Sequence, residues 1–126
     1  MTNLSSINRR LEKAENLVYN ALNNAKVGLW SWDFKNDMVE WDNNLLELFE
    51  MEYDYFKNGY QGYKEIVLPE YYQELEQKLN NCIENNVRLD MIYKIKSKNS
   101  IGQKTILVKG NLNSERTMMY GICVEI

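Results

Sequence analysis

VGLWSWDFKNDMVEW, residues 27–41, is the stretch from which the fold can be read. Side chains alternate across a strand, so Trp30, Trp32 and Phe34, which share one parity, stand on one face. Residues 33–37, from Asp33 to Asp37, form a polar turn, without the Asn-Gly pair that marks the tightest hairpins. A second strand follows from Met38 to Trp41. Asp42 then caps a short helix carrying Leu45, Leu46, Leu48 and Phe49 and ending near Met51. Trp41 and Leu46 flank that cap at the spacing of a hydrophobic staple. Two indoles on one strand face need a large apolar surface opposite them, and the rest of the chain is read for what supplies it.

Upstream, Leu4, Ile7, Leu11, Ala14, Val18, Ala21 and Ala25 fall at alternating steps of three and four, a heptad stripe on an amphipathic helix. Ser5 or Ser6 is placed to cap it, and Leu17 and Leu22 widen its apolar face. Two arrangements satisfy this pattern. The helix lies on its own domain, or it joins two copies of the chain as a short two-stranded coiled coil, which the three alanines would leave weak by itself. Gly28 reads as the break between helix and first strand. The chain thus divides into residues 1–25, an N-terminal helix, and residues 26–126, a single domain.

Downstream, residues 53–67 are dense in aromatics (Tyr53, Tyr55, Phe56, Tyr60, Tyr63) and hold Gly59 and Gly62, a pattern of short helical turns. Pro69, the only proline, suits the first position of a helix. Tyr72, Leu75, Leu79, Cys82 and Ile83 then repeat at helical spacing until Asn85-Asn86. Three strands follow. Leu89, Met91, Tyr93 and Ile95 alternate with polar residues except at Ile92, and Ile106, Val108 and Leu112 alternate likewise after a loop over 98–102. Beyond a turn over 113–116, residues 117–126 are apolar on both faces, which predicts a central strand covered above and below. Helix, two strands, several helices and three strands describe an α+β fold with a five-stranded antiparallel sheet and helices inserted between strands two and three.

Composition narrows the function. The chain has 126 residues, is 44% hydrophobic and carries a net charge of -3, which argues against a nucleic-acid surface. No apolar run reaches the roughly 20 residues of a membrane span and no signal-peptide pattern opens the chain, so a cytoplasmic protein segment is expected. Cys82 and Cys123 are far apart and suit a reducing compartment. There is no histidine, which removes histidine-based catalysis, His-Cys zinc sites and histidine-ligated haem. Asp33 and Asp37 occupy positions one and five of a loose calcium loop that lacks its glycine and closing glutamate, and they read as turn residues.

The order of these elements and several local motifs resemble the PAS sensor domain, in the bacterial subtype that opens with a Gly-x-Trp-x-Trp-Asp strand. Gly28, Trp30, Trp32 and Asp33 match that strand, and Trp41 matches the aromatic before its short helix. Pro69 and Glu70 match part of a His-Pro-Glu-Asp helix start; Tyr93 and Ile95 match a Tyr-Arg-Ile strand; Gly121 and Ile126 match the last one. Leu68, Tyr71, Lys94 and Glu125 depart from the pattern. The likeness spans about residues 22–126.

The resemblance implies a sheet curled around a cavity that takes a cofactor or small metabolite. Carried onto this chain, its lining would be Trp30, Trp32, Met91, Tyr93, Ile106, Val108, Met119, Gly121 and Cys123, the same faces that parity gives. These side chains also suffice to fill a solid core, and Tyr93 would bring a lone buried hydroxyl into it. No cofactor is identified: the Asn-Cys-Arg-Phe-Leu motif of flavin-adduct members is missing, since Asn81-Cys82-Ile83 sits on the long helix. The expected protein is a non-catalytic sensory and dimerisation module of a larger bacterial signalling protein of histidine kinase or diguanylate cyclase type. Its last strand would relay a change to a downstream effector, and it would form a homodimer through the N-terminal helix and an outer sheet face of Tyr120, Ile122, Val124, Leu29 and Leu107. The alternatives are a solid-core interaction domain and a small α+β cavity enzyme, although no Asp, Glu or His falls at a cavity-facing position.

Overall fold

The computed structural model describes residues 2–51, 59–97 and 102–126. The elements run α1 (Thr2–Ala25), β1 (Gly28–Asp33), β2 (Met38–Trp41), α2 (Asn43–Leu48), α3 (Gly59–Lys64), a 3-10 turn (Pro69–Tyr71), α4 (Tyr72–Asn85), β3 (Leu89–Lys96), β4 (Gln103–Leu112) and β5 (Met119–Glu125). The five strands form one antiparallel sheet in the order β2-β1-β5-β4-β3. The helices between β2 and β3 cover its inner face, as the α+β reading expected. Tyr53, Tyr55, Phe56 and most of the 98–102 loop lie outside the described residues.

Local chemistry accounts for the boundaries. Asp33 accepts from the Asn36 side-chain amide and from the backbone N–H of Asn36 and Lys35, which folds the β1–β2 turn; these bonds, the Asn36 side chain foremost, hold its carboxyl below the usual carboxylate pKa. Asp42 caps α2 through Leu45 N–H at 2.9 Å and also accepts from Leu29 N–H at 3.0 Å, tying the helix start to β1. Pro69 opens the 3-10 turn that leads into α4, and Asn86 ends α4 in the left-handed conformation, φ 54°. Asn113 holds the β4–β5 turn by accepting from Thr117 and Met118 N–H.

Four expectations are corrected. Helix α1 already starts at Thr2, so Ser5 and Ser6 lie inside it and do not cap it. The break after α1 falls at Lys26, φ 55°, not at Gly28. Gly28 is needed because α2 crosses it: a Cβ there would stand 2.7 Å from Leu45. α1 does not lie on its own domain, since Leu4, Ile7, Leu11 and Val18 are exposed. β5 is central between β1 and β4, yet covered on its inner face alone among the described residues; Tyr120 on the outer face is 51% exposed.

The core lies between the inner face and the helices. Tyr93, Ile106 and Met119 are fully buried, with Leu45, Phe49, Leu75, Leu79 and Cys82 packed from the helical side. β3 alternates without exception, Leu89, Met91, Tyr93 and Ile95 in and Asp90, Ile92, Lys94 and Lys96 out, so Ile92 is an exposed apolar residue rather than a break in the pattern.

Candidate functional site: an aromatic cavity against the central strand

Trp30 and Trp32 point inward from β1 and are half-buried. Trp30 sits directly opposite Trp41 on one side and Gly121 on the other. Its six-membered ring lies over Gly121 of β5 and Gly110 of β4, which pair with each other. A Cβ on Gly110 would stand 2.7 Å from the indole, and one on Gly121 would meet the indole and the Lys109 carbonyl oxygen, all inside 3.0 Å. The two glycines therefore form a flat bed for the ring. Trp30 Nε1 donates to the Ile122 carbonyl at 3.3 Å, so the ring is hydrogen-bonded to the strand it lies on.

Trp32 is held by a different set of contacts. Its Nε1 donates to Asp37 Oδ1 at 3.0 Å, and the same oxygen accepts from Tyr60 N–H at 3.0 Å. The Trp32 and Tyr60 rings stack with centroids 5.3 Å apart. Gly59 permits this approach: it takes φ +55°, and a Cβ there would strike Asp37.

Between these rings and α4 lies a cavity of about 40 Å³, lined by Trp30, Trp32, Val39, Trp41, Leu45, Tyr60, Tyr63, Leu75, Leu79, Leu89, Val108 and Cys123. Ligand pockets run to roughly 300–1,000 Å³, so in this conformation side chains fill most of the space. Tyr60 Oη is buried without a hydrogen-bond partner among the described residues. Burial, with Glu76 and Tyr72 nearby, pushes its pKa up to about 12.

Four of the nine residues expected from the sequence, Trp30, Trp32, Val108 and Cys123, line this cavity. Met91, Tyr93, Ile106 and Met119 are buried in the core on the same inner face without lining the cavity, and Gly121 lies beneath Trp30. Tyr93 does not bring a lone hydroxyl: Tyr63 Oη donates to Tyr93 Oη at 2.7 Å. Burial pushes Tyr63, Tyr93 and Cys123 well above their ordinary pKa values, which favours the neutral form of each.

Sequence reading missed Val39, Trp41, Leu45, Tyr60, Tyr63, Leu75, Leu79 and Leu89 as lining. Trp41 had a usable signal, because hairpin register sets it opposite Trp30. Tyr60 and Tyr63 stand three apart, which on a helix gives one face, but nothing local says which strand that face meets.

No family model matches the sequence. Over 89 residues, 71% of this chain, it is 28% identical to "Probable diguanylate cyclase DgcE" of Escherichia coli, and it spans 8% of that protein's length. Among solved structures, a sensory box histidine kinase/response regulator from Burkholderia thailandensis superposes with a TM-score of 0.66 at 17% identity, covering 86% of this chain and 83% of that one. The N-terminal domain of a diguanylate cyclase with PAS/PAC sensor from Marinobacter aquaeolei gives 0.66 at 10% identity, covering 79% and 94%. At these identities the likeness is one of fold, and this chain shares the fold of those sensor domains.

Proposed function

We propose, with the PAS fold as premise, that this chain is a non-catalytic sensory and dimerisation module of a larger bacterial signalling protein. Residues 26–126 are the sensor and residues 1–25 the pairing helix. The parent is a diguanylate cyclase or histidine kinase, the classes named for the proteins it is similar to. The module works in the cytoplasm; among the described residues no helix is long and apolar enough to cross a membrane.

One observation carries the sensory reading. Trp30 is at once a wall of the cavity and a weight on β5, hydrogen-bonded to it and seated on its glycine. An occupant or repacking that presses the indole toward β5 moves Gly121 and Ile122, because the gap between ring and strand is already closed. β5 is central and pairs with both β1 and β4, so its displacement reaches the whole outer face and the end of the strand. A two-state packing change there is the input an effector domain would read. The occupant is a small neutral molecule, since the lining offers apolar surface and phenol hydroxyls but no charge.

Dimerisation follows from what is left uncovered. The outer face presents Leu29, Ile92, Leu107, Tyr120, Ile122 and Val124 across neighbouring strands, and α1 presents Leu4, Ile7, Leu11 and Val18. Apolar surface on this scale marks a partner site, and a second copy covers both.

The small cavity favours a second reading, a solid-core interaction domain with no ligand. Native mass spectrometry of the protein purified from cells separates the two. The sensory reading expects a dimer that retains a small molecule; a bare dimer supports the solid core, and a monomer contradicts both dimer readings.

A further inference from the structure

We infer that the two copies join through α1 as a parallel, in-register pair, with Arg10 of each helix facing Glu15 of the other. The inference rests on the dimer reading above and specifies its geometry.

The seam Leu4, Ile7, Leu11, Ala14, Val18, Ala21, Ala25 occupies alternating a and d positions over the length of α1. Its large members are unpartnered: Leu4 is 70% exposed, Ile7 50%, Leu11 56% and Val18 57%. The residues beside a seam decide how two helices align. In a parallel, in-register pair, the residue before an a position meets the residue after the next d position of the partner, five further along. Arg10 precedes Leu11 and Glu15 follows Ala14, so the pairing brings opposite charges together twice by symmetry. Neither makes an ion pair within its own chain among the described residues.

The next such pair is Leu17 with the partner's Leu22. It falls beside Val18 and Ala21, where the seam is narrow, and supplies the apolar area that the alanines lack. Leu17 is 62% exposed in the single chain, which this contact would cover. An antiparallel pair matches preceding positions with preceding and following with following. That sets Arg10 beside the partner's Leu17, leaves Glu15 without a counter-ion and separates Leu17 from Leu22. Charge and apolar matching thus favour the same alignment. The parallel arrangement also delivers both chains into β1 at the same end, where Leu29 continues the apolar surface onto the outer sheet face.

The test uses the full chain. Ile7→Cys lies far from the middle of the helix, so it meets its own copy only in the parallel register; Cys82 and Cys123 are buried and serve as background. Oxidation is expected to give a covalent dimer. Arg10→Glu and Glu15→Arg are each expected to weaken the dimer about tenfold at low salt by sedimentation equilibrium, with the double variant back within about twofold. Added salt should shrink these differences. A dimer with no Ile7→Cys disulfide, or with no recovery in the double variant, overturns the parallel register and leaves the dimer standing. A monomeric wild type overturns the dimer itself.

Discussion

Replacing Gly121 by alanine is the sharpest perturbation of the proposed coupling, and Gly110 provides its control. Both glycines lie under the Trp30 indole, but their other neighbours differ. At Gly110 the added methyl meets the far edge of the ring at 2.7 Å and the Tyr120 carbonyl oxygen at 3.2 Å. A side chain can tilt, so Gly110→Ala should cost about 1–2 kcal/mol. At Gly121 the methyl also meets the Lys109 carbonyl oxygen, which is fixed by β4. Either β4 and β5 separate locally or Trp30 is expelled, and the cost should be about 3 kcal/mol. For a domain of this size that lowers Tm by on the order of 10 °C. Repeating both substitutions in a Trp30→Leu background separates the contributions. Gly110→Ala should become nearly neutral there, under about 0.5 kcal/mol, while Gly121→Ala keeps most of its cost. Urea unfolding followed by far-ultraviolet circular dichroism reads all six species without depending on the removed indole. Equal costs for the two glycines, or a Gly110→Ala cost unchanged by Trp30→Leu, would refute the argument that the ring rests on this bed.

Other consequences can be measured on the same chain. Asp42→Ala removes the acceptor for both Leu45 and Leu29 N–H and should cost about 1–2 kcal/mol in urea unfolding. Tyr93→Phe leaves the buried Tyr63 hydroxyl without its acceptor and should cost about 1–3 kcal/mol in urea unfolding. Glu50→Ala strips Ser97 and Lys104 of a shared, mostly buried carboxylate and should cost about 2 kcal/mol. Raised pH gives a signed test at Tyr60. Its folded pKa is raised to about 12 from 10.0, so the unfolded chain loses that proton first and stability falls as pH climbs through this window. A flat stability profile there, with the folded signal retained, would contradict a buried Tyr60.

Much of the architecture was legible because strand parity and helix caps are local. The alternation from Leu89 to Lys96, the Asp42 cap and the central place of β5 all follow from neighbours within a few residues. The site was legible only in part, since a cavity is defined by what crosses the sheet. Tyr63 finds Tyr93 over a separation of 30 residues, and no spacing in either segment encodes that meeting. Glycines misled for the same reason. Gly28 reads as a helix break until α2 is seen to cross it, and the bed at Gly110 and Gly121 appears only when β4, β5 and β1 lie side by side. The two apolar faces of β5 suggested cover on both sides, whereas the described residues cover its inner face alone, because parity reports which faces are apolar and not what lies against them.

Xenon, which enters small dry cavities, puts the central claim to a direct measurement. In the 15N-labelled protein, the indole N–H of Trp30 and the backbone amides of Gly121, Ile122 and Cys123 are recorded as xenon pressure rises. If the cavity drives the central strand through Trp30, these signals shift together along one saturation curve. A shift confined to the cavity side chains, with the β5 amides unmoved, would contradict it.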